Sequence, residues 1–241
     1  MARTKKTDKA AFARAVADAL TPLADPQRAA GMKAYMRGQF DYLGIPTPAR
    51  RAAAAPLIRG FAMAPAAELR AAAFALWAMH EREYQYVAVD LLARHAHALA
   101  LADVEWLLEL TATKSWWDTV DGLAKVVGSA VRAGGAAGKR RMDRAVQARH
   151  LWVRRIAVLH QLGWREATDT GRLFAYARLL AHEQEFFIRK AIGWALRDYA
   201  WHDWRAVEAF LKTEGAALAP LSVREAKKHF PALKRRTAAR A

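Results

Sequence analysis

The sequence predicts an all-α protein built from antiparallel helix pairs. Hydrophobic residues make up 54% of the 241 residues, and alanine, the strongest helix former, supplies much of that fraction. β-branched residues are sparse, and the chain holds only 13 glycines and 8 prolines. Apolar residues recur at helical spacing in segments of about 12 to 18 residues with short connections, which makes neighbouring helices antiparallel.

Start and stop signals divide the chain into helices. Asp25 followed by Pro26 predicts the cap and first position of one helix, and Gly44 predicts a stop. Thr47 and Pro48 predict the cap and start of the next helix. From the apolar periodicity, later helices are predicted at about 65–79, 81–97, 102–113, 116–132, 140–162 with a break near 149, 170–182, 185–200, 203–213 and 221–230.

A row of helix pairs, each too small to bury its own apolar face, is typical of an α-solenoid of the HEAT or armadillo type. A globular helical bundle is the alternative. We predict one HEAT-like α-solenoid domain over residues 1–232, with a concave basic face, and a basic, disordered tail over residues 233–241. Residues 132–150 are glycine-rich and basic, and they are predicted as a long loop that runs into a helix.

The charge points to a polyanionic partner. The formal net charge is +16, and seven lysines and arginines follow Ser222 against the single acidic residue Glu225. Most of the surplus therefore belongs to the body of the chain. Nucleic acid is the leading partner class, and an anionic membrane or an acidic protein are the alternatives.

Several other classes are disfavoured. The chain has no cysteine, which excludes disulfide frameworks, thiol catalysis and thiolate zinc sites. The histidines show no metal-binding spacing, so neither a metal nor a cofactor is predicted. The N-terminal segment lacks the apolar region of a secretory signal, and no apolar run is long enough to cross a bilayer. We expect a cytoplasmic, nucleoid-associated monomer.

The stretch "TKSWWDTVD" (113–121) combines two tryptophans with two aspartates. Ser115 and Asp118 have the spacing of a capping box, with Ser115 as the cap. Asp121 has no such role, and it shares a helix face with Trp117 at i, i+4, while Trp116 is the better core residue. Core packing of Trp117 and a salt bridge between Asp121 and an arginine are the structural alternatives.

Two further segments place an aromatic ring beside positive charge. "LWVRRIAVLHQLGW" (151–164) sets Trp152 and Arg155 three residues apart, and "EFFIRKAIGWALRDYAWHDW" (185–204) sets Lys190, Trp194 and Arg197 on one helix face. Corresponding helices of a solenoid line one surface. The pattern predicts a basic, aromatic surface that contains one carboxylate.

These segments, together with "YMRGQFDYLGIPTPARR" (35–51), "LWAMHEREYQYVAVDLL" (76–92) and "LSVREAKKH" (221–229), resemble the AlkD-like DNA alkylation repair family. The resemblance runs from about Lys33 to His229, with the segments in the family's order and at its spacing. It implies α-helical, HEAT-like DNA glycosylases that excise alkylated purines from duplex DNA.

The resemblance also implies roles for individual residues. Asp121 is the expected catalytic carboxylate, Trp117 and Trp194 are the expected aromatic walls beside the damaged nucleotide, and Arg155 is expected to meet the DNA backbone near the lesion. The further candidate DNA-binding residues are Tyr35, Thr47, Arg51, Lys114, Trp152, Arg154, Lys190 and Arg197.

The expected reaction is hydrolysis of the N-glycosidic bond of a cationic N3- or N7-alkylated purine. Such a base departs without protonation, so a single carboxylate suffices to stabilise the oxocarbenium ion and orient water. Tryptophan faces attract cations, and the basic residues would neutralise phosphates. The alternatives are a non-catalytic HEAT-like DNA-binding module for bent or damaged DNA, and a protein–protein scaffold, which the charge disfavours.

Overall fold

The structure is a computed structural model that describes residues 9–238, with side chains for residues 10–235, and every regular element in that part of the chain is helical. This confirms the predicted all-α class. The α-helices, in chain order, are α1 (Lys9–Leu20), α2 (Pro26–Tyr35), α3 (Thr47–Arg59), α4 (Ala66–Ala78), α5 (Arg82–Arg94), α6 (Val104–Ala112), α7 (Trp117–Ala133), α8 (Gly135–Ala145), α9 (Leu151–Leu159), α10 (Thr170–Leu179), α11 (Phe186–Glu214), α12 (Pro220–Lys227) and α13 (Phe230–Ala238).

The helix boundaries follow the predicted start signals closely. Asp25 caps α2, and its side chain accepts a hydrogen bond from the backbone N–H of Arg28. Thr47 is the first residue of α3 rather than its cap, a shift of one position. The predicted separation of 185–200 from 203–213 survives as a kink within α11: Asp203 has a non-helical backbone, and its carboxylate accepts from the N–H of Ala206 as a helix cap does.

Residues 132–150, predicted as a long loop, contain α8, and the loop prediction was wrong. Gly135 takes a positive φ of 53°, which lets the chain turn directly from α7 into α8. The new helix buries Met142 and Ala145. Gly138 passes so close to the carbonyl of Val131 that a Cβ would lie 2.2 Å from its oxygen. Gly135 thus serves the turn and Gly138 serves helix packing, which composition alone could not show.

The residues after 232 also differ from expectation. α13 runs from Phe230 to Ala238, so residues 233–238 of the predicted disordered tail are helical, and Leu233 is buried. Residues 239–241 of that predicted tail lie outside the described residues. The described residues form two compact units that divide between Thr113 and Lys114. The single domain over residues 1–232 stays a prediction.

The first unit holds α1 to α6, and α4 packs against both α1 and α5. Glu83, at the start of α5, is fully buried. Its carboxylate accepts hydrogen bonds from the backbone N–H groups of Leu43, Gly44 and Ile45 at 2.9–3.1 Å. The connection between α2 and α3 is thereby fixed to α5 by a buried charge.

The second unit holds α7 to α13. α9 packs against both α7 and α11, and α12 packs along α11. The core of these helices is aliphatic. Five of its side chains are fully buried: Leu123 and Val127 of α7, Ile156 of α9, and Ile188 and Leu196 of α11. α9 therefore joins the helix that carries Asp121 to the helix that carries Trp194.

Gly193 determines how closely α12 approaches α11. A Cβ at Gly193 would lie 2.5 Å from the Cβ of Glu225 and 2.7 Å from the backbone oxygen of Ser222. In an open helix, replacing glycine with alanine stabilises by up to about 1 kcal/mol. Here overpacking opposes that gain, since the backbone of α12 must move.

We expect Gly193→Ala to lower the free energy of unfolding by about 1–3 kcal/mol, as measured by urea denaturation. Gly31 of α2 provides the control, because nothing lies within 4 Å of the Cβ that an alanine would add. Gly31→Ala should stabilise the protein by up to about 1 kcal/mol. A stabilising effect at Gly193 would contradict the packing argument.

Candidate active site

α7 begins within the "SWWD" stretch. Trp116, with extended backbone at φ −159° and ψ 159°, is the N-cap, and Trp117 is the first helical residue. Asp118 accepts a hydrogen bond from the N–H of Thr119 at 2.9 Å. Ser115 was predicted as the cap, so the helix begins one residue later than its capping box suggests. Asp121 lies one turn after Trp117, as predicted.

Asp121 forms a two-point ion pair with Arg155 of α9. Nε and Nη2 of Arg155 donate to Oδ1 and Oδ2 of Asp121 at 2.7 and 2.8 Å, and Nη1 of Arg155 donates to the carbonyl oxygen of Phe187. The side chains of Arg155 and Asp121 are 4% and 15% exposed. A single buried guanidinium thus connects α7, α9 and the first turn of α11. Arg155 is placed to orient Asp121, and its expected DNA contact stays a prediction.

An aromatic cluster lies beside this pair. The rings of Trp116, Trp152 and Phe187 have centroid distances of 4.8–5.6 Å. Trp152 is buried, and Trp116 and Phe187 are half-buried. The indole Nε1 of Trp116 is also buried and has no hydrogen-bond partner among the described residues. The cluster fixes the entry to α7 directly before Trp117.

Burial and charge act in opposite directions on Asp121. Desolvation raises the pKa of Asp121 above the ordinary value of an aspartate, and the hydrogen bonds and positive charge of Arg155 act to lower it. Asp118, a turn earlier, adds a smaller effect that also raises the pKa. The balance lies on the raised side. A carboxylate in this position is easier to protonate than an exposed one.

The two cations that flank Trp194 are held by one carboxylate. Lys190 Nζ lies 2.8 Å from Oε1 of Glu225, and Arg197 Nη1 lies 2.6 Å from Oε2 of the same residue. Trp194, four residues after Lys190 and three before Arg197 on α11, is half-buried. Glu225 of α12 therefore joins Lys190 and Arg197, the two cations of the group that was predicted to share one helix face with Trp194.

The other candidates in the second unit occupy different environments. Trp152 is buried in the aromatic cluster. Arg154 is mostly enclosed, because its Nη1 donates to the carbonyl oxygens of Ala148 and Arg149, and its Nε lies 2.9 Å from Glu183. Lys114 is exposed, with a φ of 48°. DNA contacts by these residues stay predictions.

The first unit carries the remaining candidates. Tyr35 is 72% exposed and lines an apolar cavity of about 320 Å³ with Tyr42 and Tyr86. Thr47 is exposed at the start of α3. Arg51 is exposed, and its Nε and Nη2 both donate to Oδ1 of Asp90, at 3.1 and 3.0 Å.

Two residues with clear roles in this geometry were not among the predicted site residues. Glu225 lies in the "LSVREAKKH" segment, and Phe187 lies in the "EFF" start of α11. The paired phenylalanines before two cations were the available signal for Phe187. Glu225 carried a weaker signal, being the only acidic residue after Ser222.

Among residues 10–235, no group of histidine, aspartate or glutamate side chains has an arrangement that could hold a metal ion. No helix among the described residues is both long and apolar enough to span a lipid bilayer.

Comparisons with known proteins identify the family of the chain. A family model described as "DNA alkylation repair enzyme" matches residues 16–230. Among solved structures, the chain is similar to a predicted DNA alkylation repair enzyme from Enterococcus faecalis, with 35% sequence identity, a TM-score of 0.76, and coverage of 85% of this chain and 95% of that one. No curated protein matches the sequence. The chain belongs to the DNA alkylation repair enzyme family, and its all-α fold is consistent with the α-solenoid of that family.

Proposed function

We propose that this protein is a monofunctional DNA glycosylase that hydrolyses the N-glycosidic bond of cationic N3- and N7-alkylated purines in duplex DNA. The observation that supports this most directly is the environment of Asp121. It is a largely desolvated carboxylate, oriented at both oxygens by a buried arginine, one helical turn after an aromatic ring. Membership of the family supports a DNA substrate.

The proposed substrate explains why one carboxylate is enough. Hydrolysis of a glycosidic bond ordinarily needs an acid for the leaving group and a second carboxylate for the sugar or water. A purine alkylated at N3 or N7 already carries the positive charge that protonation would supply. The remaining requirement is negative charge beside the sugar as it becomes an oxocarbenium ion, and Asp121 is the residue proposed to supply it.

Pairing with Arg155 leaves Asp121 able to act. A carboxylate offers about four acceptor positions, and Arg155 uses one on each oxygen. The other positions can accept from a water molecule and face the sugar. Arg155 opposes the effect of desolvation and favours the ionised form that the reaction needs.

Trp117 and Trp194 are proposed as the aromatic surfaces that contact the cationic nucleotide. Both are half-buried, so each retains an accessible face or edge. The negative π-face of an indole attracts a cation by about 0.5–2 kcal/mol. This attraction favours a charged lesion over the neutral parent base.

The direct test is release of free base by the wild-type protein. Duplex DNA treated with a methylating agent is incubated with the protein, and free 7-methylguanine and 3-methyladenine are quantified. A duplex that contains uracil is the matched neutral substrate, because this site offers no acid for its leaving group. Release from both substrates, or from the uracil duplex alone, would contradict the proposed mechanism.

The pH dependence of base release should report the protonation of Asp121. Because its pKa is raised in the folded protein, kcat/KM should fall as the pH drops through a value above the ordinary aspartate pKa of about 4. No basic limb is expected near neutral pH, since the leaving base needs no acid. A profile that stays flat down to about pH 4, where the protein is still folded, would contradict this assignment.

The reaction is proposed to end at the abasic site. Cleavage of the DNA strand by a lyase step requires an amine nucleophile. Lys190, the lysine nearest to Trp194 on α11, is engaged with Glu225 as an ion pair. We expect no covalent adduct with DNA under borohydride reduction. The protein is proposed to act as a monomer at the nucleoid.

One observation favours the alternative, a non-catalytic DNA-binding module. Both oxygens of Asp121 are engaged by Arg155, as in a purely structural ion pair. Under this alternative the wild type binds duplex DNA in a gel-shift assay and releases no base from any cationic lesion. The base-release experiment therefore separates the two functions.

A further inference from the structure

Glu225 bridges two cations in the way that a backbone phosphate would. Each of its oxygens has its own donor, Lys190 at 2.8 Å and Arg197 at 2.6 Å. Phosphodiester groups also present two charged oxygens, and lysine and arginine are their usual protein partners. Lys190 and Arg197 thus have the arrangement of a phosphate-binding pair, and the carboxylate of Glu225 occupies the position that a phosphate would take.

The group lies at the protein surface rather than in its core. The side chains of Lys190, Arg197 and Glu225 are 39%, 18% and 15% exposed. The paired cations hold the pKa of Glu225 below its usual range, mainly through the Lys190 hydrogen bond, so Glu225 stays ionised near neutral pH. DNA approaching Trp194 would meet two partly accessible cations. The single negative charge of Glu225 neutralises one of their two positive charges.

Glu225 is held in place by helix packing. Ser222 Oγ donates to the carbonyl oxygen of Arg189 at 2.8 Å, and α12 contacts α11 at Gly193. Glu225 sits one turn after Ser222 on α12. A carboxylate presented by a docked helix loses little conformational entropy when it forms an ion pair, in contrast to a pair between two mobile surface side chains.

We propose that Glu225 is an internal competitor of the DNA backbone, which occupies the phosphate-binding position of Lys190 and Arg197 and so weakens binding to undamaged duplex. This proposal rests on the proposed function in one respect only, that Trp194 faces DNA. Glu225 acts on DNA affinity through the two cations and is not a catalytic residue. Undamaged duplex leaves the ion pairs intact, because the free-energy cost of breaking them offsets the free energy gained from one phosphate contact.

The test is a double-mutant cycle on undamaged duplex DNA, with affinity measured across a range of salt concentrations. Glu225→Gln should bind about tenfold tighter at low salt, and its plot of log affinity against log salt should be steeper by about 1–2, because each new phosphate contact adds about 0.9. Lys190→Met should barely change the wild-type slope. The same substitution in the Glu225→Gln background should reduce the slope by about 0.9.

Glu214 provides the matched control. It pairs with Arg178 on the same unit at 2.9 Å, with 34% and 50% exposure, away from Trp194 in sequence. Glu214→Gln removes the same charge and should change affinity by less than about twofold. This isolates the effect of Glu225 from the general increase in net positive charge.

Either of two results would overturn the proposal. Binding by Glu225→Gln that matches Glu214→Gln would show that Lys190 and Arg197 do not face DNA. Weaker binding by a folded Glu225→Gln would show that Glu225 positions the cations for DNA instead of competing with it. Should Glu225→Gln fail to fold, Glu225→Asp retains the charge but shortens the side chain, and it should give a smaller gain of the same sign.

This outcome is separable from that of the glycosylase proposal. The cycle uses undamaged duplex and measures binding, while the glycosylase test measures base release from alkylated duplex. If the double-mutant cycle gives the expected result and no base is released, the glycosylase proposal is contradicted and the proposed role of Glu225 stands. If base is released and Glu225 and Lys190 show no coupling, the proposed role of Glu225 is contradicted and the glycosylase proposal stands.

Discussion

Asp121→Asn is expected to reduce the rate of base release from alkylated duplex by about 10²–10³-fold, the usual effect of removing one group that stabilises transition-state charge. The amide keeps the shape of the side chain but loses the negative charge that the oxocarbenium ion requires. Binding to undamaged duplex should change by less than about threefold, since the charge that holds phosphates is untouched. Single-turnover release of 7-methylguanine measures the first effect, and a gel-shift assay measures the second.

Stability must be separated from chemistry in this variant. Asp121→Asn leaves Arg155 buried without its counterion, which costs about 3–5 kcal/mol. Adding Arg155→Met removes the unpaired charge, and the double variant should recover much of the lost stability with no recovery of base release. Recovery of activity in the double variant would show that Asp121 acts only as a partner of Arg155.

Asp143 offers a matched control for loss of a two-point ion pair. Both of its oxygens lie 2.9 Å from Nε and Nη2 of Arg172, the same geometry as the Asp121 pair, at a partly exposed position in the same unit. Asp143→Asn should keep base release within about threefold of wild type. An equal loss in both variants would assign the effect to folding, because Asp143 has no proposed part in the reaction.

Glu83→Gln is expected to produce the largest loss of stability in the first unit, about 3 kcal/mol or more. The fully buried carboxylate accepts from three successive backbone N–H groups. An amide has one acceptor oxygen and would turn an NH₂ donor towards one of those N–H groups, which leaves buried donors unsatisfied. Urea denaturation followed by circular dichroism measures the change.

Glu109 is the control for this substitution. It lies exposed on α6 of the same unit, and Glu109→Gln should change the free energy of unfolding by less than about 0.5 kcal/mol. A comparable small effect at Glu83 would mean that the connection before Thr47 does not depend on the buried charge. A large effect would also predict looser ordering of Thr47 and Arg51 in variants of Glu83.

The sequence predicted the helical class, and it left a salt bridge with an arginine open as the structural alternative for Asp121, for identifiable reasons. Periodicity and capping residues are local, so the start of α2 at Asp25 could be read from adjacent letters. The salt-bridge alternative for Asp121 was also correct, with Arg155 as its arginine. The expected catalytic role of Asp121 stays a prediction. It is compatible with the ion pair, because a carboxylate can both pair with an arginine and act on a substrate.

Glu225 and α8 show what sequence reasoning could not reach. The pairing of Glu225 with Lys190 and Arg197 depends on how two helices dock at Gly193, and nothing in the local spacing encodes that docking. In α8, glycine content suggested a loop, but Gly135 supplies the positive φ of the turn from α7, and Gly138 allows close approach to Val131 of α7. Tertiary contacts decided both features.

The bonds that build the site join different helices of the second unit. Arg155 lies 34 residues from Asp121 and 32 from Phe187, and Glu225 lies 35 from Lys190 and 28 from Arg197. Each link closes a loop of about 30 residues, and the entropy cost of closing a loop grows only slowly with its length. Newly synthesised chains should therefore assemble the pair around Asp121 before α12 has left the ribosome, with the anion that masks Lys190 and Arg197 arriving last.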